Sequence, residues 1–168
     1  MNAPANSNRL IKAYDRMIER VKTSLEELEQ TGLPNLQASI EHAAEKAVDL
    51  DELTREEAQI IGSYIKRDLQ DAGQYLATTG HDLGAWLRFD LTLIEERFLE
   101  LFQSAADKTR IEMLSFEETV ERISHYYTGE ITGPGTLQCD NCGKSLHFHA
   151  TGRIPPCASC HATRFTRV

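Results

Sequence analysis

Two cysteine pairs near the C-terminal end constrain the fold of this chain more than any other feature. Cys139 and Cys142 form one CxxC motif, and Cys157 and Cys160 form a second after fourteen intervening residues. Each CxxC turn brings two sulfurs close enough to share one metal ion, and four thiolates suit the tetrahedral preference of Zn²⁺. The chain has no other cysteine, which is typical of a metal site in a reducing compartment rather than of a disulfide framework. The motifs therefore predict one structural Zn²⁺.

Cysteine pairs of this kind also occur in two other types of site. Rubredoxin-like iron has the same four-cysteine ligand set, and a redox-active CxxC is the third option. A thioredoxin-type redox pair opens a helix after a strand, and neither motif has that setting. Gly143 instead follows the first pair where the turn needs a positive φ, and residues 145–150 alternate between apolar and polar side chains. We predict a zinc ribbon over 137–168, after a linker with a lead-in strand at 129–136.

Apolar residues recur at helical spacing through residues 8–128. Positions 11–28 and 87–105 follow alternating steps of three and four residues, as in the seams of coiled coils. These seams are natural antiparallel partners, so the predicted fold class is mainly α, with an N-terminal helical hairpin or bundle followed by the small C-terminal β zinc ribbon. Residues 1–7 are predicted to be disordered. Predicted helices cover 8–31, 36–48, 54–79, 87–105 and 108–126, and the pattern leaves open whether the last two are one helix.

Charge is distributed unevenly along the chain. The net charge is −8, and the residues from Glu130 onward carry +2 while the preceding part carries −10. An acidic body repels phosphate backbones, so nucleic acid would bind through the ribbon alone. Trp86 and Phe89 are further candidates for an exposed contact on the body. The candidate contact residues of the ribbon, for a protein or a nucleic acid, are Lys144, His147, Phe148, His149, Arg153, Arg164, Phe165 and Arg167.

The sequence contains no catalytic signature. It has no Ser/His/Asp arrangement that would activate a nucleophile and no phosphate-binding glycine loop. It also has no Glu-x-x-His pair of the kind that binds metals inside helical bundles. We therefore expect a protein that is not an enzyme. No apolar run approaches the ~20 residues of a membrane helix, and no secretory h-region is present, so we expect a cytoplasmic protein.

Several stretches together resemble the bacterial YbeL-type zinc-ribbon proteins. One of them is Tyr-Thr-Gly-Glu-Ile-Thr-Gly at 127–133, just before the first cysteine pair. The others are Leu-Thr-Arg-Glu-Glu at 53–57, Asp-Lys-Thr-Arg-Ile-Glu at 107–112, Gly-Thr-Leu at 135–137 and Cys-Asp-Asn-Cys at 139–142. The resemblance implies an acidic helical region, a C-terminal zinc site and a bacterial cytosolic setting. It implies no activity, since none is established for that family.

Three functions fit these features. The first is a non-enzymatic adaptor that binds a protein partner, and zinc ribbons commonly serve transcription or translation machinery, which is an analogy at the level of the fold. The second is weak nucleic-acid binding through the basic ribbon. The third is a regulator of RNA polymerase resembling DksA, in which acidic residues lie at the tip of a helical hairpin. Asp68 and Asp71 resemble such a tip, although they fall inside a predicted helix.

Overall fold

The computed structural model describes residues 3–79, 83–88, 91–115 and 124–168, and in these ranges helices precede short strands. The mainly α class with a C-terminal β ribbon is therefore confirmed. None of the described helices is long and apolar enough to cross a membrane. The helices are α1 (Ala3–Thr31), α2 (Leu36–Asp49), α3 (Arg55–Thr79), α4 (Leu83–Leu87) and α5 (Glu96–Ser115). The strands are β1 (His125–Tyr127), β2 (Ile131–Thr132), β3 (Gly135–Cys139), β4 (Ser145–Phe148), β5 (Gly152–Arg153) and β6 (Arg164–Arg167).

Helices α1, α2, α3 and α5 pack as a bundle around one apolar core. The first seam supplies a row of fully buried side chains from α1, among them Tyr14, Ile18, Val21 and Leu25. Their spacing of three and four residues places them on one face, which explains their common burial. The predicted seam is thus a core-facing stripe of the bundle.

Local capping signals define several helix ends. Glu57 accepts a hydrogen bond from the Thr54 backbone N–H (2.9 Å), and its own N–H donates to the Thr54 hydroxyl (3.2 Å), so these two residues form a capping box at the start of α3. Asn35 caps α2 by accepting from the Ala38 N–H at 2.9 Å. Helix α1 ends at Thr31, as the pattern predicts, and α3 is described as far as Thr79.

The single helix predicted over 87–105 is wrong. Helix α4 ends at Leu87, Arg88 adopts a positive φ of 61°, and a 3-10 turn at Leu91–Leu93 precedes α5. A left-handed residue cannot continue an α-helix. The new helix is then capped by Glu95, whose carboxylate accepts from the N–H groups of Arg97 (3.2 Å) and Phe98 (2.9 Å).

Two further boundaries differ from the prediction, and one question that it leaves open is answered. Helix α1 begins at Ala3, so it includes most of the segment predicted to be disordered, and Arg9 ties it to α3 through an ion pair with Glu57 (2.5 Å). The pattern leaves open whether the last two predicted helices are one, and α5 runs without a break through Asp107 as far as Ser115, the last residue of that described range. Residues 116–123 of the helix predicted over 108–126 lie outside the described residues, and its last two positions are wrong, because His125–Tyr127 is a strand.

The ribbon consists of a four-stranded antiparallel sheet, in the order β1-β6-β3-β4, and a two-stranded sheet of β2 and β5. Strand β1 pairs with β6 through Tyr126 opposite Phe165, so this sheet begins before the predicted boundary at residue 129. The segment 129–136, predicted to be a linker with a lead-in strand, contains β2 and the start of β3, so its strands belong to the two sheets. Its side chain Ile131 belongs to the core of the helical bundle.

Candidate metal centre and its attachment to the helical body

The four cysteine sulfurs meet at one end of the ribbon, as the spacing predicts. All lie within 4.8 Å of one another, with Sγ–Sγ distances of 3.5 Å for Cys139–Cys160 and 3.6 Å for Cys142–Cys157. A disulfide would need about 2.05 Å. Four sulfurs about 2.3 Å from one Zn²⁺ in a tetrahedron lie roughly 3.8 Å apart, which is close to the distances in the ribbon. The donor set and its geometry can hold one Zn²⁺.

The two knuckles repeat the same backbone turn. Gly143 donates its N–H to the Cys139 carbonyl and His161 donates to the Cys157 carbonyl, both at 2.9 Å. Gly143 has φ +76°, in agreement with the sequence prediction for the residue after a CxxC, and His161 occupies the matching position at φ +61°. The second knuckle thus has a non-glycine residue in the left-handed region, which the glycine pattern alone did not indicate.

Polar hydrogens point at the sulfurs of the second knuckle. The Asn141 side chain and the Ala162 backbone N–H donate to Cys160, which lowers the pKa of that thiol to about 6. The backbone N–H groups of Cys160 and Ser159 lower the pKa of the Cys157 thiol in the same way. Since the thiolate is the metal-binding form of cysteine, these donors favour the state that binds Zn²⁺.

A family model described as a zinc-ribbon containing domain matches residues 23–168. The chain belongs to this family. It is also similar to the uncharacterized protein YbeL of Escherichia coli strain K12, with 26% identity over 164 residues that cover 95% of this chain and 96% of that protein. The YbeL proteins of E. coli O6:H1 and O157:H7 match with the same identity and coverage. No solved structure matches the chain.

The resemblance to YbeL-type proteins is therefore confirmed, and the family match spans both the helices and the ribbon. The structure contains a physical reason for treating these parts together. A set of buried charged and hydroxyl side chains, here called the clamp, joins α3 to the ribbon. Its members are Tyr14, Arg67, Asp68, Asp71, Tyr126 and Arg167.

Asp68 is the centre of the clamp and is fully buried. Its carboxylate accepts hydrogen bonds from the Tyr14 hydroxyl of α1 (2.5 Å) and from the Gly133 N–H of the ribbon (2.9 Å). Burial raises the pKa of the Tyr14 phenol, and the nearby Asp68 charge adds to this, so Tyr14 remains a donor. A buried carboxylate is tolerated only when it is paired and hydrogen-bonded, and here both helices and ribbon supply the partners.

Arg167 is the main ribbon cation of the clamp, and its side chain is only 5% exposed. Its guanidinium lies 3.4 Å from Asp68 and donates to the hydroxyls of Tyr126 and Thr132, both at 2.9 Å. The same group lies over the Trp86 ring at 4.5 Å. Arg167 therefore connects β6 to α3 and α4 at once.

Arg67 is the arginine of the clamp that belongs to the helical body, and it extends from α3 to the ribbon. It forms an ion pair with Glu130, donates to the Ile131 carbonyl at 3.0 Å, and lies 3.9 Å from the centre of the Tyr126 ring. Burial alone would lower the pKa of Arg67, but the charges of Asp68 and its neighbours raise it, so the guanidinium stays protonated. The body and the ribbon each contribute one arginine to the other.

Asp71 completes the clamp one helical turn after Asp68. Its carboxylate accepts from the Ser124 hydroxyl (2.6 Å) and from the Tyr126 hydroxyl. Burial raises the pKa of Asp71, although the charge of Arg167 acts in the opposite direction. Asp68 and Asp71 lie inside α3, face the ribbon and are buried or nearly so, so their resemblance to the acidic tip of a helical hairpin does not extend to their position in the fold.

Several residues predicted as exposed contacts lie inside the protein or in internal pairs. Phe165 is buried in the ribbon core and Arg167 in the clamp. Arg164 is bonded to Asp140 at 2.7 Å, and Phe148 is half-buried against the ribbon core. Trp86 is also buried, stacked on the Phe102 ring, and Phe89 lies outside the described residues.

Other members of the predicted contact set remain on the surface. Lys144, His147 and His149 are exposed, with His147 also bonded to the Thr136 hydroxyl. Arg153 is exposed and donates to the Ser7 hydroxyl and the Gly129 carbonyl. The surface cations of the ribbon are therefore fewer than the sequence count indicates.

The sequence did contain a signal for the clamp. The apolar face of α3 includes Ile61, Ile65, Leu69 and Ala72, and Asp68 lies three residues after Ile65, on that face. A carboxylate inside an apolar stripe must find a buried partner. That reasoning would have identified Asp68 as an internal ion-pair residue, although not Arg167 as its partner.

Proposed function

We propose that this protein is a non-enzymatic cytoplasmic adaptor, in which a zinc-folded ribbon clamped to an acidic helical body presents a single surface to a protein partner. The observation that carries this proposal is that two cations of the ribbon form ion pairs with carboxylates of the same chain. Arg167 is buried beside Asp68, and Arg164 is paired with Asp140.

This internal pairing favours a protein partner over nucleic acid. Affinity for nucleic acid comes largely from neutralising phosphates, and each contact removed lowers both the affinity and its salt dependence. Three of the four ribbon cations are on the surface: Lys144, Arg153, which is partly engaged, and Arg164, whose charge is offset by Asp140. So few cations beside a strongly acidic body make a poor phosphate-binding surface.

A structural role for the metal supports the non-enzymatic part of the proposal. Four thiolates complete the tetrahedral shell of Zn²⁺, whereas a catalytic zinc keeps one position for water or substrate. The Asp, Tyr and Arg side chains of the clamp are saturated by one another rather than directed at a ligand. Their arrangement serves to position the ribbon.

A tagged pull-down of the zinc-loaded protein from native bacterial lysate tests this function. We expect specific protein partners to be enriched, with components of the transcription or translation machinery as the leading class by analogy of fold. The matched control is Cys139→Ser/Cys142→Ser, which should lose both zinc and the partner. No enrichment over this control would contradict the proposal, and a tight mobility shift with DNA or RNA that persists at high salt would support nucleic-acid binding instead.

A further inference from the structure

A groove of about 380 Å³ lies where α1, the start of α5 and the β4–β5 turn of the ribbon meet. Its volume is at the lower end of ligand-holding pockets, which span about 300–1,000 Å³. It therefore suits a few inserted side chains rather than a large cofactor. Both structural parts of the molecule contribute walls to it, so the groove exists only when the ribbon is docked on the helices.

The floor of the groove is apolar. Ile94, Phe98 and Leu101 line it, and the last two are only half-buried. Leu93, the residue before Ile94, is 54% exposed. Apolar surface left partly open to water is stabilised when a partner covers it.

The rim of the groove is acidic. Asp15 and Glu95 both line it, and burial together with the Glu95 charge raises the pKa of Asp15. Glu19 also lines the groove and pairs with Arg97 at 2.9 Å, while Arg16 lies 3.8 Å from Glu52 outside it. Asp15 and Glu95 accept hydrogen bonds from uncharged donors, the Thr151 hydroxyl and two N–H groups at the start of α5. A cation brought by a ligand would therefore be attracted to Asp15 and Glu95.

The ribbon wall is held in place by a hydrogen bond across the groove. The Thr151 hydroxyl donates to the Asp15 carboxylate at 2.5 Å, which joins the β4–β5 turn to α1. Zinc folds the ribbon, and the clamp docks it, so both are needed to form this wall. Occupancy of the groove is thereby coupled to the metal.

We propose that this groove binds a short, basic amphipathic helix of a protein partner. Apolar side chains spaced three or four residues apart would enter the floor, as in helix-in-groove recognition. Lysine or arginine side chains beside these anchors would lie at the acidic rim, where charge complementarity directs association. This inference rests on the adaptor function and names the chemistry of the partner.

Selection from a displayed library of random peptides against the full-length, zinc-loaded protein tests the inference. We expect enriched peptides to carry two apolar residues at i and i+4 and a net positive charge. A synthetic copy of the best peptide should lose about tenfold in affinity for Asp15→Asn/Glu95→Gln, or about 1.4 kcal/mol. Leu101→Gln should weaken binding by a similar factor, since it places an amide in the floor.

The matched control is Glu45→Gln/Glu56→Gln, which removes two carboxylates that are exposed on α2 and α3. Its affinity for the peptide should stay within about twofold of wild type, and circular dichroism with metal analysis should show that every variant is folded and zinc-loaded. The groove proposal is overturned if the enriched peptides are acidic, if none is enriched, or if the groove variants bind as the control does.

The same variants separate this inference from the adaptor function. If the pull-down recovers partners with wild type and equally with the groove variants, the adaptor function stands and the groove is wrong. If the partners are lost with Asp15→Asn/Glu95→Gln and kept with the control, both are supported. If wild type recovers no partner, the adaptor function fails.

Discussion

The helical body and the ribbon are stabilised in different ways. The body buries large apolar side chains from five helices in one continuous core. The ribbon buries a cluster of six residues, two of which are the metal ligands Cys139 and Cys157. Ordering each residue costs about 1–2 kcal/mol, and so small a cluster cannot offset that cost over the whole ribbon. Metal binding has to supply the difference.

The contact between the two parts resembles neither core. It is a buried set of ions and hydroxyls centred on Asp68 and Arg167, with Ile131 and Gly133 of the ribbon packed on the bundle. Hydrophobic contact tolerates small shifts, whereas hydrogen-bonded ion pairs require one geometry. The metal therefore folds the ribbon, and the clamp determines where the folded ribbon lies.

Of the changes considered, removing the metal should have the largest effect on stability. For Cys139→Ser/Cys142→Ser, or after chelation, we expect the ribbon to unfold with the loss of about 10 kcal/mol of metal-binding free energy. The helices should persist, but at a lower thermal midpoint, because Asp68 loses its ribbon partners. Metal analysis and far-ultraviolet circular dichroism measure both effects. A fully unfolded body would show that the helices cannot fold without the ribbon, and an unchanged midpoint would show that the ribbon does not stabilise them. Lys144→Ala is the control.

The second-largest loss of stability should follow from removing the carboxylate at the centre of the clamp. Asp68→Ala leaves the buried Arg167 with Asp71, 3.9 Å away, as its remaining carboxylate partner in the clamp, and should cost about 3–5 kcal/mol in the free energy of unfolding. Denaturant titration of the zinc-loaded protein measures this cost, and Glu45→Ala on the exposed face of α2 should change it by less than about 0.5 kcal/mol.

A double variant shows whether that cost comes from the pair. Asp68→Leu combined with Arg167→Met removes both charges, so the loss should be smaller than the sum of the two single losses. Additive losses would mean that the two side chains act independently, and the clamp would then be a collection of separate contacts.

The turn at Gly135 offers a steric test of the same contact. Gly135 has φ +152°, and a Cβ there would lie 1.7 Å from a nitrogen of Arg167. Gly135→Ala should therefore displace Arg167 and cost about 2–4 kcal/mol through strain and overpacking. Gly32→Ala is the control, since a Cβ there meets nothing within 4 Å. Equal stability of the two variants would argue against a tightly packed clamp.

Features that depend on near neighbours in sequence could be predicted. The zinc ligands follow from two CxxC spacings, and the start of α3 follows from Thr54 and Glu57, which lie three residues apart. The contact of Arg167 with Asp68 joins residues 99 positions apart, and no local pattern specifies it. The helical pattern also does not reveal the break at Arg88, because the apolar spacing continues across this residue while its φ is positive.

Arg164 and Arg167 lie on the same strand, and comparing them gives the test with the smallest expected effect. Arg164 is 57% exposed, and its bond to Asp140 is solvated and screened, so Arg164→Ala should cost at most about 1 kcal/mol. Arg167→Ala removes the same chemical group from a buried site and should cost several times more. Denaturant titration at low and high salt compares the two, and only the Arg164 effect should shrink with salt. Similar costs for the two would mean that burial does not distinguish these arginines, and the clamp would lose its special role.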